Sequence, residues 1–198
     1  MNSIPNLIVM MKNPIKGKAK SRLAKDVGIE EAHQIYLRLV AYTQKVVSLF
    51  SGNLHIHYAY FIDDNDGFRA NATRRLQVEG DLTAKLSHAS ESVSDYPQLF
   101  IGSDCAQLTT EILEEAADLL TQVNVVLGPS HDGGYYLIGM DQYYPELFQN
   151  IDWSTDKVLE QTISKATDMN LSFTKLSVLS DIDDLASYQK YGQNIFKK

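Results

Sequence analysis

Gly128-Pro129-Ser130-His131-Asp132-Gly133-Gly134-Tyr135-Tyr136-Leu137-Ile138-Gly139-Met140 is the stretch around which the rest of the chain can be ordered. Before it, Val123-Asn124-Val125-Val126-Leu127 is short, apolar and β-branched, and it reads as a buried strand. After the loop, Tyr135 to Ile138 shows no polar alternation and reads as a second strand, covered on both faces. Gly133-Gly134 permits positive φ and leaves backbone N–H groups uncovered, so a ligand can approach the main chain there. Asp132 places one carboxylate at the lip of the loop. The same residues would also make a plain tight turn in which Asp132 satisfies its own backbone.

Composition bounds the problem. With 198 residues, one domain spanning 1–198 with a sizeable core is expected, and no Pro/Gly/Ser linker or internal repeat divides it. A net charge of −7 argues against nucleic acid or an anionic membrane as the main partner. A single cysteine excludes an internal disulfide, and the Cys/His spacing carries no zinc signature. The longest N-terminal apolar run, Leu7 to Met11, is too short for a signal segment or a membrane span, so a cytoplasmic location is the default expectation.

Upstream, Asn6 to Met11 reads as the first strand. The segment after it, Lys12 to Lys25, holds six of the 18 basic residues (Lys12, Lys16, Lys18, Lys20, Arg22, Lys25) and no acid. In an acidic chain such a run is a local electropositive pocket suited to phosphate, although a solvated basic loop has the same composition. Its spacing is neither that of a Walker loop nor that of a dinucleotide fingerprint. Ala32, Ile35, Tyr36, Leu39, Val40, Thr43, Val46, Val47 and Phe50 recur at three- and four-residue steps and predict a long amphipathic helix. Leu54 to Ile62 reads as a strand whose His55 and His57 share a face, more suited to a polar strand face than to a metal. Arg74 to Val78 suggests a short strand, and Asp81 suits the start of a helix running to about Ser92.

Leu99-Phe100-Ile101-Gly102 is a further strand, and Asp104 follows at its carboxyl end, where α/β sheets bind ligands. Asp104 could equally begin a helix, with Thr109 or Thr110 as the alternative cap. Cys105 reads as a buried structural thiol. Ser154 or Thr155 is expected to cap a helix over Val158 to Ala166, and Trp153 in isolation reads as packing. Leu171 to Leu179 predicts a last strand, ending in Asp181-Ile182-Asp183-Asp184 and followed by a terminal helix to about Asn194. Those acids suit a cation or the helix N-terminus equally well.

Taken in order, the basic loop with Lys20-Ser21-Arg22-Leu23, the Gly102-Ser103-Asp104-Cys105 strand end, Gly128 to Gly139, Trp153-Ser154-Thr155 and Asp181-Ile182-Asp183 form a recognisable pattern. The chain resembles an uncharacterised bacterial family of glycosyltransferase-A-like proteins, assigned to nucleotide-diphospho-sugar transfer. The resemblance runs from about Leu7 to Leu185. It implies an α/β, Rossmann-like nucleotide-diphospho-sugar transferase fold with a mostly parallel central sheet flanked by helices. It also implies that Lys16, Lys20 and Arg22 face nucleotide phosphates; Lys12, Gly133, Gly134 and Trp153 are further candidate nucleotide contacts. Asp104 and Asp183 would hold a divalent metal, Mg²⁺ or Mn²⁺, and Asp132 is the candidate base. The expected partners are a nucleotide or nucleotide sugar and a small acceptor.

Sugar transferases of this fold carry Asp-x-Asp at the metal strand, whereas here Ser103-Asp104-Cys105 holds a single acid. The Pro14-Ile15-Lys16 and Ala19-Lys20-Ser21-Arg22-Leu23 strings are also similar to the basic loop of phospholactate guanylyltransferases. Nucleotidyl transfer is therefore the alternative chemistry, and a non-catalytic nucleotide-sugar sensor is a third reading.

Overall fold

The computed structural model describes residues 4–196. Its elements run β1 (Asn6–Met11), α1 (Ser21–Val27), α2 (Ile29–Ser48), β2 (Asn53–Tyr58), β3 (Thr73–Leu76), α3 (Leu82–Glu91) and β4 (Gln98–Ile101). Then follow α4 (Thr110–Leu119), β5 (Val125–Pro129), β6 (Tyr135–Met140), α5 (Val158–Asp168), β7 (Phe173–Lys175) and α6 (Leu185–Tyr191). Short 3₁₀ turns cover Pro145–Phe148 and Gly192–Phe196.

The strands form one seven-stranded sheet in the order β3-β2-β1-β4-β6-β5-β7. All neighbours are parallel except β6, which runs antiparallel to both β4 and β5. This is the mostly parallel sheet with flanking helices that the resemblance implied.

Both faces of the sheet are covered, so the strand residues alternate between two cores rather than between core and water. Leu7, Val9 and Met11 of β1 face one core with Leu23 of α1, Ile35 and Leu39 of α2 and Leu113 of α4. Ile8, one residue out of phase, faces the other core with Leu86 of α3, Phe148 of the Pro145–Phe148 turn and Ala166 of α5. The antiparallel β6 is buried from Tyr136 to Met140, as its unbroken apolar run predicts.

The helix starts follow local chemistry. Asp81 caps α3 by accepting from Ala84 N at 3.0 Å, and Thr109 caps α4 by accepting from Ile112 N at 3.4 Å. Asp184 and Ser187 form a reciprocal capping box at α6.

Several boundaries differ from the sequence reading, and three of the differences have a local cause. β2 stops at Tyr58 rather than Ile62, because Asn13 Oδ1 accepts from the amides of Tyr60 and Phe61 and turns the chain away. Neither Ser154 nor Thr155 caps α5. Lys157 holds the cap position without a side-chain bond, and the Thr155 hydroxyl accepts from Lys157 N one residue early, at 3.3 Å. β7 keeps only Phe173–Lys175: Leu176 N still donates to Leu127 O, but Tyr136 then donates its hydroxyl to Ser177 O, and the chain returns to β5 through Leu179 N to Pro129 O.

Candidate functional site

Topology decides where a ligand can sit. The chain builds β1, β2 and β3 outward in one direction, then returns to place β4 on the other side of β1. The loops after β1 and β4 therefore diverge and leave a crevice at the carboxyl ends of the strands. Because β6 is antiparallel, the β5–β6 turn at residues 130–134 and the segment after β7 open at the same edge of the sheet. Four stretches distant in sequence thus meet there.

The loop after β1 is anchored by buried polar contacts. Tyr36 of α2 donates its hydroxyl to Lys12 O at 2.7 Å and lies 3.0 Å from Ser103 Oγ, linking the two sides of the crevice. Burial pushes the Tyr36 phenol up to about 12, so it acts as a hydrogen-bonding strut rather than as an acid. Asn13, fully buried, ties the loop after β1 to the loop after β2 through Nδ2 to Phe61 O at 2.8 Å.

At the centre of the crevice, Lys20 Nζ donates to Asp104 Oδ2 and to Asp183 Oδ1, each at 2.9 Å. The Lys20 side chain is 4% exposed. Burial alone would lower its pKa, but the two carboxylates outweigh that penalty and hold the ammonium charged, well above the usual lysine range. Arg22, on the surface, hydrogen-bonds the second oxygen of Asp183. Despite burial, Lys20 and Arg22 together keep the Asp183 carboxyl below its ordinary range. Asp104 reaches this position because Gly102 leaves it room: a Cβ there would lie 2.6 Å from Asp104 Oδ1.

Asp181 is the third carboxylate. It pairs its backbone with Cys105 in an isolated bridge, while Ile182 N donates to Asp104 O at 2.9 Å, so this segment runs alongside the end of β4. Asp181 Oδ1 is shielded from solvent and has no hydrogen-bond partner. Burial, and then repulsion from Asp104, raise its carboxyl well above the ordinary aspartate range, with Lys20 opposing. Cys105 is buried and its thiol is pushed up to about 12 by burial, which fits the structural role expected of it.

Arg22, Asp181 and Asp183 from this cluster line a cavity of about 460 Å³, together with His131, Asp132, Tyr191 and others. A larger concavity, about 610 Å³, lies along α4 between Leu49 and Gln122, and it gathers acids without a converging basic group. The smaller one is the candidate site because cationic and anionic side chains from separate segments meet there. Asp132 stands at its rim, exposed, with Oδ1 accepting from Gly134 N at 3.1 Å and from the Ser130 hydroxyl. It therefore closes its own turn and borders the cavity at once.

The remaining sequence candidates are distributed differently. Lys12 is exposed beside the crevice, and Lys16 pairs with Glu30 on the surface. Gly133, at φ +86°, is covered rather than open: a Cβ there would lie 2.2 Å from Asp156 O. Its role is close packing of the segment before α5, to which it is bonded through Leu159 N to Gly133 O at 2.9 Å. Gly134 likewise faces its own loop, with Ser130 Oγ and Asp132 Oδ1 nearest. Trp153 lies away from the cavity lining. It donates Nε1 to Thr83 Oγ1 at 2.8 Å and meets the Tyr135 ring edge-on, which is the packing reading.

Among the cavity residues, His131 and Tyr191 carried no role in the sequence reading. His131 stacks on Tyr191 with centroids 6.1 Å apart and 15° between planes. Asp181 was visible only as one of several acids, and nothing local marked Tyr191 in the last helix.

Among the described residues, no group of three or more His, Cys, Asp or Glu is arranged to hold a metal ion. The pair Asp104 and Asp183 nevertheless directs two carboxylate oxygens at one point, now held by the Lys20 ammonium. An all-oxygen pair completed by ligand phosphates is the ordinary donor set of a hard divalent cation.

No curated protein matches the chain. Among solved structures, it is similar to a proposed nucleotide-diphospho-sugar transferase from Desulfovibrio desulfuricans G20, with TM-score 0.83 and 27% identity over 91% of this chain and 82% of that one. It also shares its fold with a nucleotidyl transferase from Methanothermobacter (TM-score 0.66, 13% identity, 97% and 98% covered). A third similar structure is the manganese complex of Rv0371C from Mycobacterium tuberculosis H37Rv (TM-score 0.59, 13% identity, 96% and 98% covered). The fold is that of the nucleotide-diphospho-sugar transferases. Residues 39–155, from within α2 to the turn before α5, match the family of uncharacterised proteins conserved in bacteria called DUF2064, and the chain belongs to that family.

Proposed function

We propose that this chain is a nucleotide-dependent transferase that uses a nucleotide-diphospho-sugar donor. The observation that carries this reading is the convergence of Lys20, Arg22, Asp104 and Asp183 at the topological switch point. Ligands of open α/β sheets lie at that point, and a pyrophosphate needs both fixed positive charge and a cation site. The resemblance of the sequence motifs and the likeness to the Desulfovibrio protein support the donor class.

In this reading, Arg22 supplies a bidentate fork to phosphate oxygens, and the exposed lysines Lys12 and Lys16 add point charges at the rim. Asp104 and Asp183 would hold Mg²⁺ or Mn²⁺, which offsets the charge that gathers on a departing nucleoside diphosphate. Asp132, at the cavity rim, would take the proton of the acceptor hydroxyl. Nucleotidyl transfer is the second reading. It is favoured by the Ala19-Lys20-Ser21-Arg22-Leu23 string and by the shared fold of the Methanothermobacter enzyme. The two share the phosphate cradle and differ in the bond broken, sugar C1–O or α-phosphorus–O.

One assay separates them. The protein is incubated with individual nucleotide sugars and with individual NTPs, each with Mg²⁺ or Mn²⁺ and a set of small hydroxyl and phosphate acceptors. Release of nucleoside diphosphate is expected. Pyrophosphate released from an NTP would move the assignment to nucleotidyl transfer, and binding without either product would make the protein a sensor. In the productive reaction, Asp132→Asn should lower turnover by roughly a hundredfold with nucleotide affinity retained; unchanged turnover would remove Asp132 as the base.

A further inference from the structure

Two carboxylates that could bind a divalent cation are already occupied by a cation from the chain itself. We propose that Lys20 is a built-in lock on the metal position: it keeps Asp104 and Asp183 closed to metal in the nucleotide-free protein, and polyphosphate opens them by drawing the ammonium away. The inference rests on the nucleotide reading above and specifies the order in which that site fills.

The geometry leaves no room for both cations. Lys20 Nζ is 2.9 Å from Asp104 Oδ2 and 2.9 Å from Asp183 Oδ1, at the point where the two carboxylates converge. A metal bound by the same two oxygens at about 2.1–2.5 Å would occupy nearly the same volume as the ammonium and repel it. Metal alone must therefore displace a buried ion pair and leave the ammonium without a partner, which is costly. A polyphosphate removes that obstacle twice over. Its oxygens receive the ammonium, and they complete the shell of a cation that has only two protein ligands.

The chain around Lys20 is suited to such a change. Lys20 begins α1 in the left-handed region, φ 55° and ψ 44°, a conformation that costs a non-glycine residue about 1 kcal/mol or more. The loop before it is exposed from Lys16 to Lys18, and nothing lies within 3.9 Å of where a Gly17 Cβ would stand. Lys20 is met by Asp104 and Asp183 alone, while the neighbouring Asp181 Oδ1 is shielded from solvent and has no hydrogen-bond partner.

Binding of Mn²⁺ alone, followed by electron paramagnetic resonance and by thermal melting, tests the lock without any turnover. Wild type should bind Mn²⁺ weakly and melt at the same temperature with and without it. Lys20→Met should bind Mn²⁺ on the order of tenfold more tightly or better, and should be destabilised in chelator and restored by Mn²⁺, because the metal replaces the missing charge. Adding Asp104→Asn to Lys20→Met should abolish the gain. If wild type binds Mn²⁺ as tightly as Lys20→Met and in an Asp104-dependent way, the lock is wrong while the metal site stands. If neither binds, the lock falls together with the metal ligands, and the nucleotide reading is then judged by the release assay alone. Should Lys20→Met fail to fold, Lys20→Gln carries the same measurement. Failure of both to fold at any Mn²⁺ concentration would show that the metal cannot replace the ammonium, which overturns the proposal.

Discussion

His57 is fully buried in β2, and neither ring nitrogen has a hydrogen-bond partner. Burial, reinforced by Arg75, His55 and His88 nearby, lowers its pKa from 6.5 to about 4. The sign of the consequence follows from linkage. The unfolded imidazole takes up a proton first as pH falls, so folded stability is complete above 6.5 and is lost progressively between 6.5 and 4. The full shift corresponds to roughly 3 kcal/mol. His57→Leu removes both the proton site and two unsatisfied nitrogens, so it should cost little at pH 7. Urea denaturation at pH 7 and pH 4.5 should show wild type losing about 2 kcal/mol more than the leucine variant across that interval. Parallel losses in the two proteins would show that His57 is not the titrating group. Within the pair, His55 meets Asn6 Oδ1 and Arg75, whereas His57 is enclosed without a partner.

At the scale of elements, the β5–β6 hairpin shows why a glycine pair means different things in sequence and in space. Gly133-Gly134 looks like an opening for a ligand, but the backbone of Asp156 already fills the face of Gly133. Gly133→Ala would place Cβ 2.2 Å from Asp156 O, at a positive φ besides. Moving that backbone would disturb the bond from Leu159 N that seats α5. A loss of roughly 3 kcal/mol or more is expected in chemical denaturation. Gly17 is the control, with a similar φ of +78° and no close neighbour, so Gly17→Ala should cost only about 1 kcal/mol. Equal losses would mean that the hairpin can yield and that the glycine is free to meet a ligand after all. The same hairpin sets the direction of β6, and so brings Asp132 to the edge of the sheet where β1 and β4 end.

Across the whole molecule, the charge is divided unevenly. The chain is net −7, yet Lys12, Lys16, Lys18 and Arg22 are all exposed on the segment that follows β1, where Lys16 pairs with Glu30 and Arg22 lines the cavity. An anionic ligand meets a local positive rim on a negative body, and only the rim is accessible to counterions. Rim charges are screened beyond about 10 Å at 0.1 M salt, whereas the buried Lys20 is shielded from solvent ions. Calorimetric titration of the nucleotide at about 0.05 and about 0.5 M NaCl should therefore show affinity falling several-fold, with a residual component that salt does not remove. Salt-independent affinity would exclude the rim from binding and leave Lys20 and the metal position as the phosphate contacts. Arg22 links the rim to the interior by pairing with Asp183, so the two regions form one electrostatic unit.

Local physics in the sequence determined most of the elements. Unbroken apolar runs mark β1, β4, β5 and β6, the periodic face from Ala32 to Val47 marks α2, Asp81 caps the helix it was assigned, and Thr109, one of the alternatives left open, caps α4. The basic loop after β1 was legible too, because charge composition needs no partner to be seen. Strand order was not, since a run such as Tyr135 to Met140 is equally apolar whether it lies parallel or antiparallel to its neighbours. The pairing of Lys20 with Asp104 and Asp183 was invisible for the same reason. Those residues are 84 and 163 positions apart, and only the reversal of strand order at β1 and β4 brings them within hydrogen-bond distance. Residue patterns showed a cation-rich loop and two acidic strand ends as separate features, and only the family resemblance put Asp104 and Asp183 together. Tertiary structure made them one site, because the energy of an ion pair depends on the distance between charges in space and not along the chain.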